Sequence, residues 1–331
     1  MKKSASALRE EANVLRLLYL LVSKKIPFLE ALPLAANTFT AFKNPLLKIL
    51  ADIKDAGYDV RESFLGQKEY FSPFTADILG DGTNAGAVDE ALRKAVIILD
   101  MRARLTETDC DETVINSITF FHMLASLLHI GIPLLSALTT AGKVYLPTNV
   151  TDDIFNVVCH GGMLTDGFRK YPQHFTPIDC SFMEIGEMCG SMPDMSMNLA
   201  IIKERLLLRR ATKPSLPTPD VGALDIMVEY KHLATLVNVG LPLMRSFTIM
   251  SETTPSPRRQ TVFKTLNKKV ENGATLSEAM ESIPTDFPGY IVELIHRAER
   301  SGDVDGTLTA IADHLQWELL GIEPADTPVL V

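Results

Sequence analysis

Asp303-Val-Asp305-Gly306-Thr307-Leu308 sets two carboxylates on either side of one apolar residue, followed by a glycine and a hydroxyl. This D-x-D-G-T spelling suits phosphoryl transfer, with the first aspartate as nucleophile and the second as acid/base. That chemistry needs a buried apolar strand to deliver Asp303, and the residues before it follow a polar helical pattern. Capping of a helix by Asp303 is therefore the preferred reading. The same run fails as a calcium loop, because Ala312 stands where a bidentate glutamate belongs. A looser cation site built from Glu299, Asp303 and Asp305 remains the candidate metal site.

The other reactive side chains are weaker candidates. Cys110, Cys159, Cys180 and Cys189 show no C-x-x-C spacing. They therefore suggest neither a structural zinc nor a disulfide framework, and Cys159-His160 reads as a buried thiol beside an ordinary histidine. No imidazole is marked as the base for any one thiol. Gly80-Asp-Gly82 and Gly161-Gly162 lack the strand–loop–helix frame of a phosphate loop. No catalytic residue, cofactor or small-molecule substrate is expected.

The 331 residues are 46% hydrophobic and 22% charged, enough apolar material for more than one core. A net charge of −9 argues against nucleic acid as a partner, since phosphate binding needs clustered Lys and Arg. Residues 203–210 read as the only tight basic cluster. Four sparse cysteines and the absence of a continuous apolar leader point to a reducing cytosol. Residues 113–142 contain no Asp, Glu, Lys or Arg, yet Gly131-Ile132-Pro133 should end one helix and begin another. Two buried helices are expected there rather than a membrane span.

Internal repetition organises the rest. Leu124-Ala-Ser-Leu-Leu-His-Ile-Gly131-Ile-Pro133-Leu recurs as Leu233-Ala-Thr-Leu-Val-Asn-Val-Gly240-Leu-Pro242-Leu, with an echo in Leu18-Tyr-Leu-Leu-Val-Ser-Lys-Lys25-Ile-Pro27-Phe. Gly-x-Pro reads as a helix–helix corner, with glycine in the left-handed conformation and proline in the next first turn. Lys25, in the glycine place, should strain its corner. Gly162-Met-Leu164 with Pro172 and Phe175 answers Thr275-Leu276-Ser-Glu278 with Pro284 and Phe287. Thr275 and Glu278 form a capping box, and Asp59-x-x-Glu62 is similar, whereas Met163 should lose that cap. Finally, Ile185-Gly-Glu187-Met-Cys-Gly190 answers Arg297-Ala-Glu299-Arg-Ser-Gly302. Polar residues 106–113 and Pro-rich residues 213–222 separate the copies. The expected fold is all-α: three tandem antiparallel bundles of about six helices over 1–105, 113–211 and 222–319, then a disordered tail over 320–331.

The motif set Leu-Ala-x-Leu-x-x-x-Gly-[Ile/Leu]-Pro-Leu, Leu276-Ser-Glu-Ala-Met280 and Ala298-Glu299-Arg-Ser-Gly302-Asp resembles the F-type domain of type II secretion and type IV pilus platform proteins. The resemblance is strongest in the third copy and faintest in the first, where Thr83 replaces the acidic residue matching Glu187 and Glu299. It implies a six-helix bundle whose structural motif residues are Gly131, Pro133, Glu187, Gly190, Gly240, Pro242, Thr275, Glu278, Glu299 and Gly302. Family members join two such domains by membrane spans, but here residues 92–105 and 201–222 are too charged or proline-rich to span. What the resemblance then implies is a non-catalytic scaffold in the cytosol beside the inner membrane. Its partners would be the assembly ATPase, inner-membrane platform components or a second copy. The alternatives are a membrane-embedded platform proper and a haloacid-dehalogenase-type phosphatase.

Overall fold

The structure, a computed structural model, describes residues 3–108, 110–212, 221–254 and 256–320. Among the described residues it is all-α, with eighteen α-helices, one 3-10 turn (Thr40–Phe42) and no strand. The fold class therefore agrees with the periodicity of the sequence. The tail expected beyond residue 320 and the Pro-rich residues 213–220 lie outside the described residues. The chain divides into two compact units.

Of the described residues, unit 1 holds 3–108, 110–174 and 193–211. Its helices are α1 (Ala5–Ser23), α2 (Phe28–Thr38), α3 (Lys43–Lys54), α4 (Val60–Leu65), α5 (Pro73–Asn84), α6 (Val88–Thr106), α7 (Glu112–His129), α8 (Leu134–Tyr145), α9 (Thr148–Cys159) and α10 (Leu164–Arg169). The helix α12 (Met192–Thr212) returns to it after an excursion of the chain. Long α1 and α6 pack along each other, burying Leu8, Ala12, Leu15 and Leu18 against the face of α6 that carries Ala91, Ala95, Ile98 and Leu99. Burial of such a stripe, at about 1.5–3 kcal/mol per large apolar side chain, holds a helix pair together more than intrinsic propensity does. Phe42, Phe64 and Phe71 close that core with edge-to-face rings at 4.8–5.5 Å.

Of the described residues, unit 2 holds 175–192, 212, 221–254 and 256–320. It comprises α11 (Pro177–Cys189), α13 (Val221–Asn238), α14 (Leu243–Thr253), α15 (Pro257–Glu271), α16 (Leu276–Glu281), α17 (Gly289–Ser301) and α18 (Val304–Leu320). Long α13 and α18 pair, and α13 also packs on α14. The residues of α11, read from sequence within 113–211, group here because α11 packs on α13 and α14.

The charge-free stretch 113–142 is two helices broken at Gly131, and α7 is buried along most of its length. No helix among the described residues is long and apolar enough to cross a membrane. Residues 92–105 lie in amphipathic α6, and 201–212 complete α12.

Candidate functional site

The carboxylates singled out by sequence do not form one cluster. Among the described residues, no three His, Cys, Asp or Glu side chains are grouped as metal ligands. The reason is visible at Glu299, whose carboxylate turns from α17 onto the N-terminus of α16. There it accepts from the Leu276 amide, the Ser277 amide (3.4 Å) and the Ser277 hydroxyl. Thr275 and Glu278 complete the same helix end: the Glu278 amide donates to Thr275 Oγ1 (3.2 Å) and the Thr275 amide to the Glu278 carboxylate (2.9 Å). A helix of six residues leaves most of its amides without intrahelical partners, so two independent caps account for its order.

Asp303 precedes the first residue of α18, and its carboxylate lies over Gly306, where a Cβ would approach it to 2.4 Å. It occupies the capping position, yet no amide of α18 donates to its side chain. α17 precedes the D-x-D-G-T run and Val304–Leu308 form the first turn of α18, so a helix stands where the phosphatase alternative needs a strand. Glu187, on α11 before Gly190, is also engaged.

The corners follow the expected backbone. Gly131 and Gly240 have φ of 90° and 82°, and Gly190 and Gly302 end their helices at 71° and 80°. Lys25, at φ 69°, is the one non-glycine with positive φ among the described residues, as the Gly-x-Pro comparison predicts. Its amide donates to the Val22 carbonyl, as those of Gly131 and Gly240 donate to Leu128 and Val237. Pro133 and Pro242 stand at the N-cap, one residue ahead of the first turn in which the sequence reading placed them. Met163 lacks a capping oxygen, but Asp166 retains half of the box by accepting from the Met163 amide (3.3 Å). The cysteines are free, and Cys180 alone is buried. Cys159 is exposed, contrary to the buried-thiol reading, and His160 donates to the Asn156 carbonyl rather than meeting a thiol.

The most elaborate polar arrangement was not singled out from sequence. In unit 2, Glu229 of α13 is buried and accepts from Arg259 Nε of α15 (2.7 Å) and from the Thr254 hydroxyl (3.1 Å). Arg259 also reaches Asp286 at 3.1 Å, and its guanidinium lies 5.5 and 5.8 Å from the Phe263 and Phe287 ring centres. Burial raises the Glu229 carboxyl above its usual range although Arg259 pulls it down. For Arg259, burial works against the charge, while Glu229 and Asp286 more than restore it. Burial opposes the Asp286 charge too, but the Thr285 hydroxyl and the two arginines hold its carboxyl below the ordinary value. One helical turn from Glu229, His232 is buried with the Phe182 ring edge-on at 4.3 Å and, among the described residues, no hydrogen-bond partner for Nε2. Burial lowers it to about 3, so it is neutral across physiological pH. A small cavity lined by Ser181, Asp225, Glu229, His232 and Thr254 adjoins it. The signal was present in the sequence: Glu229 interrupts the apolar stripe Ile226, Tyr230, Leu233, Leu236, and a charge in that place calls for a buried partner.

Chemically this is a clamp. The carboxylate of α13 is satisfied by groups at both ends of the α14–α15 connection, which fixes three helices at one point.

Residues 230–319 match the family Type II secretion system (T2SS), protein F. That match covers the third copy of the sequence motifs. A Type II secretion system protein F of Vibrio cholerae is 30% identical over 106 residues, which are 32% of this chain and 25% of that protein. Type IV pilus assembly protein PilC of Myxococcus xanthus is 24% identical over 133 residues, 39% of this chain and 31% of the relative. The PilC of Thermus thermophilus is 30% identical over 98 residues, 30% and 24% of the two chains. The chain thus spans about a quarter to a third of the length of these curated relatives.

Proposed function

We propose that the chain is a non-catalytic scaffold or adaptor of a type IV pilus-like or type II secretion-like assembly machine. Through helical surfaces it binds the assembly ATPase, an inner-membrane platform component or a second copy of itself. The observation that carries this reading is the match of residues 230–319 to Type II secretion system protein F. Two similarities of sequence to pilus and secretion proteins support it.

In this reading the chain is three tandem copies of a six-helix unit, over 1–105, 113–211 and 222–319. The order of helices supports the repetition. The fourth helix of each set, α4, α10 or α16, has six residues, and a long helix opens and closes each set. Positive φ at Lys25, Gly131 and Gly240, and again at Gly86, Gly190 and Gly302, recurs in the same order. Repeated bundles offer composite helical faces suited to partner helices.

The test is affinity purification of the full chain from native cells in gentle detergent, followed by binding of the purified chain to the purified assembly ATPase. Recovery of the ATPase or of a platform component, reproduced with pure proteins, is the expected result. Their repeated absence, with unrelated proteins in their place, overturns the proposal.

A further inference from the structure

Residues 203–210 are not the one basic cluster of the chain: the exposed face of α15 carries a second. Lys264 and Lys268 are exposed one helical turn apart, Arg258 is exposed six residues before Lys264, Lys269 is half-buried next to Lys268, and Glu271 is the one acidic residue of the helix. The stripe from Arg258 to Lys268 is about 15 Å long at 1.5 Å per residue. Arg258 is paired with Asp286 at 3.1 Å, whereas among the described residues no carboxylate pairs with Lys264, Lys268 or Lys269.

The neighbouring helix extends the face. The Asn267 amide of α15 donates to Thr248 of α14 (3.2 Å), and one helical turn from Thr248 lie exposed Arg245 and Met244, the latter 41% exposed. Val239, 46% exposed, stands before the Gly240 corner that leads into α14. Glu252 and Glu271 are the exposed acids at the two ends of the patch. This local positive surface belongs to a chain with a net charge of −9.

We propose that the α14–α15 face docks on an anionic lipid surface, with Arg245, Lys264 and Lys268 over the headgroups and Met244 at the interface. Three features favour lipid over a fixed acidic protein segment. The unpaired charges of α15 are lysines, compact point charges on flexible stems that follow mobile headgroups, whereas a fixed carboxylate is matched by the planar arginine fork. The surface is the convex side of a helix, with apolar side chains beside the charges as at membrane interfaces. Its attraction is also local: beyond a Debye length of about 8 Å the rest of the acidic chain is screened. This inference rests on the charge placement and not on the secretion reading.

The experiment is flotation of the full chain with phosphatidylcholine vesicles that contain or lack phosphatidylglycerol, at low and high salt. Flotation is expected only with phosphatidylglycerol and only at low salt. The double variant Lys264→Glu/Lys268→Glu should weaken it at least twentyfold, since each lysine near an anionic surface contributes about fivefold. Lys43→Glu/Lys48→Glu changes charge equally on the exposed side of α3 and should leave flotation unchanged. Unaltered circular dichroism shows that the variants fold. Absence of flotation with phosphatidylglycerol, or equal weakening by both pairs, overturns the proposal. So does unaltered flotation of the Lys264→Glu/Lys268→Glu variant, which shows that this face does not hold the lipid.

Discussion

Units 1 and 2 each bury a carboxylate from the long helix that opens their first bundle-like set, and they satisfy it by opposite means. In unit 1, Glu11 of α1 accepts from the Ser72 amide and hydroxyl (2.7 Å each) and from the Thr75 hydroxyl (2.6 Å), with Lys3 at 2.8 Å. The first three donors sit at the start of α5, so Glu11 closes a helix end as Glu299 does on α16. In unit 2, Glu229 faces a guanidinium that is itself shared with Asp286. A carboxylate served mainly by neutral donors tolerates loss of one bond. An ion-paired one leaves a bare buried charge when its partner is removed.

The largest effect should therefore come from Arg259→Ala, which strands Glu229 and leaves Asp286 only its exposed partner. A loss of about 3–5 kcal/mol is expected by urea unfolding monitored for unit 2. A loss below about 1 kcal/mol would erase the distinction between the two sites. Replacing Glu229 and Arg259 together by methionines should recover much of that loss.

The next effect is a pH dependence. His232 is held near 3 when folded, against about 6.5 when unfolded, so as pH falls below 6.5 the unfolded chain gains a proton that the folded chain refuses. Stability should drop by about 1.4 kcal/mol per pH unit between 6 and 4. His232→Phe should flatten that slope, and an unchanged slope would assign the acid sensitivity elsewhere.

Glu11→Gln should cost about 2 kcal/mol, because the amide nitrogen of glutamine faces donors of its own kind. A cost equal to that of Arg259→Ala would show the two carboxylates to be energetically alike. A smaller gain is expected at Asp77 in unit 1, where burial outweighs Arg61 and raises the carboxyl to about 6. Its folded pKa exceeds its unfolded one, so the stability that it contributes below pH 4 is lost as pH rises through 6. Asp77→Asn should thus stabilise by about 1 kcal/mol at pH 8 and have little effect at pH 4.

The smallest effect compares the corners. Lys25→Gly in unit 1 relieves a left-handed backbone and should stabilise by about 0.5–1 kcal/mol in thermal unfolding. Gly240→Ala in unit 2, at φ 82°, should shift stability the other way.

Local rules carried the sequence a long way. The all-α class, the corners at Gly131 and Gly240, the odd corner at Lys25, the capping box of Thr275 and Glu278 and the helix ends at Gly190 and Gly302 each depend on residues within one or two turns of each other. What lay beyond reach were the partners. Glu299 looked like a ligand because its neighbours in sequence are Asp303 and Asp305, whereas its neighbours in space are the amides of α16. Glu229 and Arg259 belong to different helices, and no spacing rule connects them.

The sequence by itself thus determined helix content, turn geometry and the motif set, since a backbone conformation and a cap are chosen by nearby side chains. Only the tertiary structure decided which carboxylates are consumed by helix ends and ion pairs, that α11 groups with α13 and α14, and that the lysines of α15 face outward together. Those outcomes depend on which surfaces desolvate one another, and burial is a property of the packed chain rather than of any segment.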